Sequence, residues 1–378
     1  MKKEFSIYLD LVRFIAAVLV VIHHSNMREL SASLVRWSSH GPDAVIVFFV
    51  LSGYVIAYIT ATRERDPLDY WASRLSRFYT LAIPIVLLCP LLDAVGESFA
   101  VQFYGERTTH GLVLLRMVTS LTYMNEIWNM AIMSFSNVPY WSLNYEMWYY
   151  LFFAMVTFTR ANVRTALLCL GALVVGPKIL LLAPLWILGV VLQRWGALYR
   201  LPQSVGWLLL AASFPLYYAL HVSGWREACS DFLLAQLGPV RHANLAVSKY
   251  FITDYLLGLI VAANFIGFRT VAAQFARPLR ACERPIRWVA AYTFPLYILH
   301  QPLLQFFGAL INGDPHSDVF YAEVLALVLL TVLVFGGYAE AKRPRVRDWL
   351  RVRLGALTAA PWWRGSVARW VGVERSPS

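Results

Sequence analysis

Ten apolar stretches of roughly bilayer length recur along this 378-residue chain, and no other sequence feature restricts its folding so severely. A hydrocarbon layer about 30 Å thick takes roughly 20 predominantly apolar residues in helical form. The stretches are 6–25, 43–62, 75–95, 140–159, 163–177, 179–195, 204–222, 250–268, 289–310 and 321–340. They predict an all-α integral membrane protein, a bundle of about ten transmembrane helices. Charged residues make up 15% of the chain and hydrophobic ones 59%, whereas soluble proteins carry about 25% charged residues. The 14 Trp and 20 Tyr suit aromatic belts at the membrane interfaces.

An eleventh apolar segment, 111–124, is short, contains Arg116 and runs into the polar stretch NEIWNMAIMSFSN. Lys and Arg gather on the cytoplasmic side of membrane proteins, so charge bias tests whether this segment crosses. If it does not, Arg63, Arg65, Arg74 and Arg77 share one side with Arg160, Arg164, Arg194 and Arg200. Arg269, Arg277, Arg280, Arg284, Arg287 and the basic tail then join them. If it does cross, the later loops invert and the bias is lost. The expectation is therefore a re-entrant or interfacial piece near 111–124, with both termini cytoplasmic.

The net charge of +11 lies mostly in short loops and the tail, where it sets orientation and meets anionic lipid. Nucleic acid is not implied. Two units are expected: a transmembrane domain over 1–341, and a basic, Trp-rich cytoplasmic tail over 342–378 that lies on the membrane surface. The loops are short except for 223–249 on the outer side. Cys89, Cys169, Cys229 and Cys282 are scattered without metal-ligand spacing, and no metal is implied. The opening MKKEFSIYLD has no cleavage site and reads as retained. No soluble catalytic domain is recognisable, so chemistry is expected from the bundle itself.

The first span, LDLVRFIAAVLVVIHHS, holds Asp10, Arg13, His23 and His24. Arg13 and His24 are eleven positions apart, which places them within roughly 20° of one helix face and about 16 Å apart along the axis. A charge at span depth is costly and faces an internal cavity by default. This helix is thus expected to line a polar cavity, with a cation low and an imidazole high. Alternatively Arg13 only pairs with Asp10 and His24 only caps the helix.

Beyond this span, six blocks in order resemble the acyltransferase family 3 membrane proteins, which O-acylate carbohydrates and other molecules. LDLVRFIAAVLVVIHHS resembles that family's opening motif through Arg13 and His24, with His23 in place of an aromatic or aliphatic residue. DAVIVFFVLSGYVIAY at 43–58 is similar to the second-span signature through Phe48, Phe49, Ser52 and Gly53, with Ala44 where many members have glycine. RLSRFYTLAIP at 74–84 resembles the Arg-x-x-Arg segment, with Thr80 replacing a common proline. WSLNYEMWYYLFF at 141–153 matches the Trp-Ser-Leu…Glu block through Trp141, Ser142 and Glu146. YTFPLYILHQPLL at 292–304 resembles the late Tyr…His-x-Pro block through Tyr292, Tyr297, His300 and Pro302. YAEAKRPRVR at 338–347 is similar to the closing segment through Glu340 and Pro344.

Acyl transfer to a hydroxyl needs a base for the proton and a means of bearing charge on the thioester oxygen. Histidine, with an ordinary pKa of about 6.5, suits the first task, and His24 is the candidate base; the resemblance implies the same. The donor implied by the family is acetyl-CoA or another acyl-CoA, a cytoplasmic anion. Arg74 and Arg77 would make a fork for its phosphates, or else merely anchor the span inside. Arg13 would hold the pantetheine arm or a neighbouring carboxylate. Glu146 would orient the acceptor, pair with Arg13, or belong to a structural ion pair. Asp10, Ser52, Trp141, Tyr292 and His300 complete the candidate set. His300 is read as structural or as a site residue, and Ser52 with Gly53 as a close-packing pair.

No Ser-His-Asp arrangement is readable, and His40, His110, His221, His242 and His316 fall in or next to loops without a role. The resulting expectation is a bacterial inner-membrane O-acyltransferase. It moves an acyl group, acetyl foremost, from cytoplasmic acyl-CoA to a carbohydrate hydroxyl of an exported polysaccharide or glycoconjugate. A transporter or flippase of a polar or lipid-linked substrate is the alternative, since a carrier also lines a cavity with polar groups. Against a lipid-directed acyltransferase, no histidine is followed by aspartate at His-x-x-x-x-Asp spacing.

Overall fold

The computed structural model describes residues 1–26, 30–31, 39–64, 66–104 and 111–359. These are almost wholly helical, with no strand among the described residues beyond an isolated bridge between Ser134 and Asn137. The order is α1 (Lys3–Asn26), α2 (Gly41–Thr62), α3 (Pro67–Phe99), α4 (Val113–Leu121) and α5 (Trp141–Phe158). Next come α6 (Ala161–Val175), α7 (Pro177–Arg194), α8 (Gln203–Val222), α9 (Trp225–Asn244) and α10 (Phe251–Val271). The short α11 (Ala276–Ala281) and α12 (Glu283–Ala291) precede α13 (Thr293–Ile311) and α14 (Asp318–Thr331). A π turn over Val332–Gly336 then leads into α15 (Gly337–Ala359).

All ten expected stretches are helical, and eight helices among the described residues are long and apolar enough to cross a membrane. Two expected spans fall short of that test for different reasons. α5 has the length but carries Asn144, Glu146 and a run of tyrosines; α6 has only 15 residues. Side-chain contacts nevertheless arrange the helix ends in two alternating sets. Glu4 with Arg280, Lys3 with Glu283, and Asp69 with Arg351 mark a basic end. Asp43 with His221, Asp254 with Arg226, and Glu126 with Lys178 mark the opposite end. Hydrogen bonds from Lys3 and Arg287 hold the Glu283 carboxyl below its ordinary range.

α4 has nine residues, a rise of about 14 Å that reaches halfway through hydrocarbon. Residues 122–137 then continue without regular structure, with Asn125, Ser134, Ser136 and Asn137 buried. Irregular backbone at such depth is tolerated where protein, not lipid, surrounds it. Tyr123, Trp128 and Phe135 adopt left-handed φ of 56°, 50° and 57°, a strain of about 1–3 kcal/mol each that the surroundings must hold. Trp148 Nε1 donates to the Tyr123 carbonyl, Trp128 N–H to that of Val175, and Lys178 reaches both Glu126 and the Met130 carbonyl.

Two expectations change. The loop 223–249, expected on the outer side, holds helix α9, broken at Gly238 (φ 76°, ψ 165°) where Pro239 follows. The boundary placed between 341 and 342 falls inside α15, which continues unbroken to Ala359 and ties Arg351 to Asp69 of α3 at 2.7 Å. The remainder of the tail, with Trp362, Trp363 and Trp370, lies outside the described residues.

α2 and α7 meet backbone to backbone. A Cβ on Gly53 would lie 1.9 Å from the Trp186 carbonyl, and one on Gly189 would lie 2.0 Å from that of Val50. Only hydrogen at both positions permits this approach, as the close-packing reading of Gly53 anticipated. α13 occupies the interior, packed by α1, α3 and α14.

Candidate active site

α1 delivers Arg13 to a cavity enclosing about 690 Å³ of empty space, open solvent included. Its polar walls are Arg13, Ser52, Arg77, Ser142, Glu146 and Tyr150 with the Tyr297 hydroxyl, set among Phe48, Phe49 and Phe294. Arg13 Nη2 donates to Asp10 Oδ1 at 3.1 Å and to the Ala290 carbonyl at 3.0 Å. Asp10 in turn accepts from Arg287 at 2.9 Å, so one carboxylate fixes two guanidinium groups. Arg77 lies over the Phe294 ring, 5.2 Å from its centre. The Nε–H groups of Arg13 and Arg77 are buried without hydrogen-bond partners. Glu340 and Arg343 of α15 contribute to the field at Arg13, as does Arg77. Two buried orphan donors beside a basic cavity make a chemical fit for an anion with oxygen acceptors.

Glu146 does not reach Arg13. Its Oε1 accepts from Ser52 Oγ at 2.5 Å and from the Tyr150 hydroxyl, while Trp186 Nε1 donates to Ser52 at 3.1 Å. Ser52 therefore does more than allow close packing. Across the cavity Ser142 Oγ and the Tyr297 hydroxyl bond at 2.6 Å.

Arg74 and Arg77 do not form a fork. Arg74 turns to Glu64 and covers the Tyr70 ring 4.4 Å from its centre, leaving Arg77 on the cavity wall. Three positions on a helix place two side chains on neighbouring tracks, and a nearby carboxylate decides where each settles. Trp141 packs edge-on against Tyr145, and Tyr292 lies tilted against Trp288; neither lines the cavity.

His24 is also outside the cavity lining, in contrast to the single tunnel its helix face suggested. It is buried beside the fully buried His300, with His24 Nδ1 and His300 Nε2 at 3.0 Å. His300 Nδ1 lies 3.0 Å from the Leu296 carbonyl and His24 Nδ1 lies 3.0 Å from that of Val20. Carbonyls only accept, so His300 Nδ1–H donates to Leu296 and Nε2 of a neutral His300 must accept. His24 Nδ1–H supplies that bond, which assigns the lone pair of a neutral His24 to Nε2. Tyr297 joins the pair to the cavity: its ring centre is 6.1 Å from that of His300, and Tyr297 itself lines the wall.

A residue without any sequence signal supports this arrangement. Pro302 has no N–H for the Ile298 carbonyl one turn before it, and Asn137 Nδ2 donates to that carbonyl at 2.9 Å. The irregular stretch after α4 thereby repairs the helix that carries His300.

The sequence model of a family described as an acyltransferase domain matches residues 6–352. The putative peptidoglycan O-acetyltransferase YrhL of Bacillus subtilis (strain 168) is 22% identical over 375 residues, covering 89% of this chain and 54% of that protein. The O-acetyltransferase OatA of Staphylococcus aureus (strain NCTC 8325 / PS 47) is 28% identical over 169 residues, 39% of this chain and 24% of that one. An O-acetyl transferase of Shigella phage Sf6 is 28% identical over 99 residues, 25% of this chain and 29% of the phage protein. The chain spans about half the length of YrhL, and its match to OatA covers about a quarter of that protein. No solved structure matches the chain.

Proposed function

Because the chain belongs to the acyltransferase-domain family, we propose that it transfers an acyl group, acetyl foremost, from cytoplasmic acyl-CoA to a carbohydrate hydroxyl of an exported polysaccharide or glycoconjugate. YrhL is named for peptidoglycan O-acetylation, which supports a carbohydrate acceptor. In this reading the protein is a multi-pass enzyme of the bacterial inner membrane, with the basic end and both termini in the cytoplasm.

The observation that carries the proposal is the His24–His300 bond, since its polarity leaves His24 Nε2 as the nitrogen that takes a proton. Nε2 withdraws the acceptor's hydroxyl proton as the oxygen attacks the thioester carbonyl. The carbon–sulfur bond breaks, the thiolate of CoA leaves, and the proton follows it. Arg13 and Arg77 supply cavity-lining positive charge for the phosphates and arm of the donor. Arg74, engaged by Glu64, steadies the helix that presents Arg77.

Mass spectrometry of surface glycans, from a strain lacking the gene and one carrying it, tests the reading. Loss of an acetyl mass from a defined sugar supports it. Unchanged glycans together with no acyl-CoA turnover by purified protein would sink it.

A further inference from the structure

At the end of the bundle opposite the arginines, a second polar pocket lies between the start of α2 and the end of α8. Ser39, Asp43, Tyr217, His221 and Arg226 line it. Ser39 Oγ is 3.1 Å from His221 Nε2, and His221 Nδ1 is 3.0 Å from Asp43 Oδ2. A hydroxyl, an imidazole and a carboxylate are thus joined in series through the two ring nitrogens.

The carboxylate fixes the tautomer. Asp43 accepts the Nδ1 proton, so the lone pair on Nε2 faces the Ser39 hydroxyl, the polarity that a nucleophile–base–orienting-acid chain requires. Asp43 stands in the first turn of α2, where an acidic residue ordinarily serves the helix N-terminus. Here Oδ2 instead takes bonds from His221 and from the Tyr217 hydroxyl at 3.0 Å, both across on α8. Arg226, 3.7 Å from Asp43 Oδ1 and 3.1 Å from Asp254 Oδ1, adds a cation to the same pocket. The reactive hydroxyl is exposed, whereas the imidazole and carboxylate are held at 20% and 14% side-chain exposure.

We propose that Ser39, His221 and Asp43 form a second acyl site, in which Ser39 takes a short acyl group from an oxygen ester as a transient seryl ester. The Ser39 oxygen attacks the ester carbonyl while its proton passes to His221 Nε2. The acyl–oxygen bond to the leaving alkoxide breaks, and that alkoxide receives the proton from His221. Water or a second carbohydrate hydroxyl then attacks the seryl ester, with His221 again taking the proton and returning it to Ser39. The products are a carboxylic acid or a new ester, and no further reactant is needed. The choice of a short acyl group rests on the transferase reading above; the nucleophile does not. The two sites are also neighbours, because a Cβ on Gly41 would lie 2.2 Å from His23 Cβ and the His23 and His24 rings are 5.1 Å apart.

His40 stacks on His221 at 4.1 Å, and His40, Asp43 and His221 offer ligand atoms within 4.8 Å of one another. A zinc site would draw on the same imidazole. Both His221 nitrogens already have partners suited to a proton relay, which favours the nucleophile. Burial and neighbouring His221 hold the His40 imidazole below its ordinary range, so it stays neutral near pH 7.

The test is labelling of the full chain in detergent with a fluorophosphonate probe, with the adduct located by peptide mass spectrometry. Expected is an adduct on Ser39, lost in Ser39→Ala and formed at least tenfold more slowly in Asp43→Asn and His221→Gln. His24→Ala should label at the wild-type rate, which separates failure of this site from failure of the transferase. Ser39→Ala removes one exposed hydroxyl and is the reference variant if the others misfold. Absence of a Ser39 adduct in the wild type overturns the proposal, as does an unchanged rate in Asp43→Asn. Stoichiometric zinc that must be chelated before Ser39 reacts would also overturn it, in favour of a metal site.

Discussion

α8 and α13 are helices of 20 and 19 residues, both apolar enough to span a membrane, yet 17% of the apolar stretch is buried in one and 78% in the other. α8 shows Leu208, Phe214, Leu216 and Tyr218 to its surroundings, and its polar contacts gather mainly at one end. α13 meets a partner at almost every turn: Arg77 on Phe294, Ser142 on Tyr297, Asn137 on Ile298 and His24 on His300. The contrast teaches that hydropathy finds a span without revealing its neighbours. What distinguishes α13 is a set of polar groups that hydrocarbon cannot satisfy, answered by three helices and the irregular stretch that holds Asn137.

Substitutions can break this contrast in order of effect. His24→Ala removes the proposed base and should lower acyl transfer by about 10²–10⁴-fold, the usual weight of general base catalysis, while calorimetry still detects acyl-CoA binding. Full transfer in that variant would remove the chemical meaning of the His24–His300 bond. Asn137→Ala leaves the Ile298 carbonyl buried and unsatisfied, so unfolding in detergent should come about 1–3 kcal/mol sooner. If stability does not fall, the irregular stretch that holds Asn137 does not support α13. Arg77→Ala should raise the acyl-CoA concentration for half-maximal rate about tenfold, equivalent to about 1.4 kcal/mol and near one lost charged hydrogen bond. Arg74→Ala should alter that concentration less and act on folding, because Glu64 loses its counter-ion. Leu216→Ala, on the exposed face of α8, should move the melting temperature by no more than its scatter, within about 0.5 kcal/mol.

The span positions were legible because they follow from local apolar length. Direction was less legible. Sequence spacing placed Arg74 beside Arg77, but Glu64 and Tyr70 draw Arg74 away from the cavity. His24 was expected to share the space that Arg13 lines, and its actual partner, His300, lies 276 positions away. Asn137 had no signal at all, since the need it meets is created by Pro302 in another helix. The Ser39–His221–Asp43 chain was unreadable for the same reason: Ser39 and His221 are 182 positions apart, and His221 carries no motif of its own.

The widened turn at Val332–Gly336 acts as a phase shifter. Such a turn accommodates an extra residue in the winding, and each residue advances a helix by about 100°. Deleting one residue there would rotate everything beyond it, swinging Glu340 and Arg343 around the axis and away from the field they share with Arg13. The field around Arg13 is thus timed by five residues that carry no charge themselves.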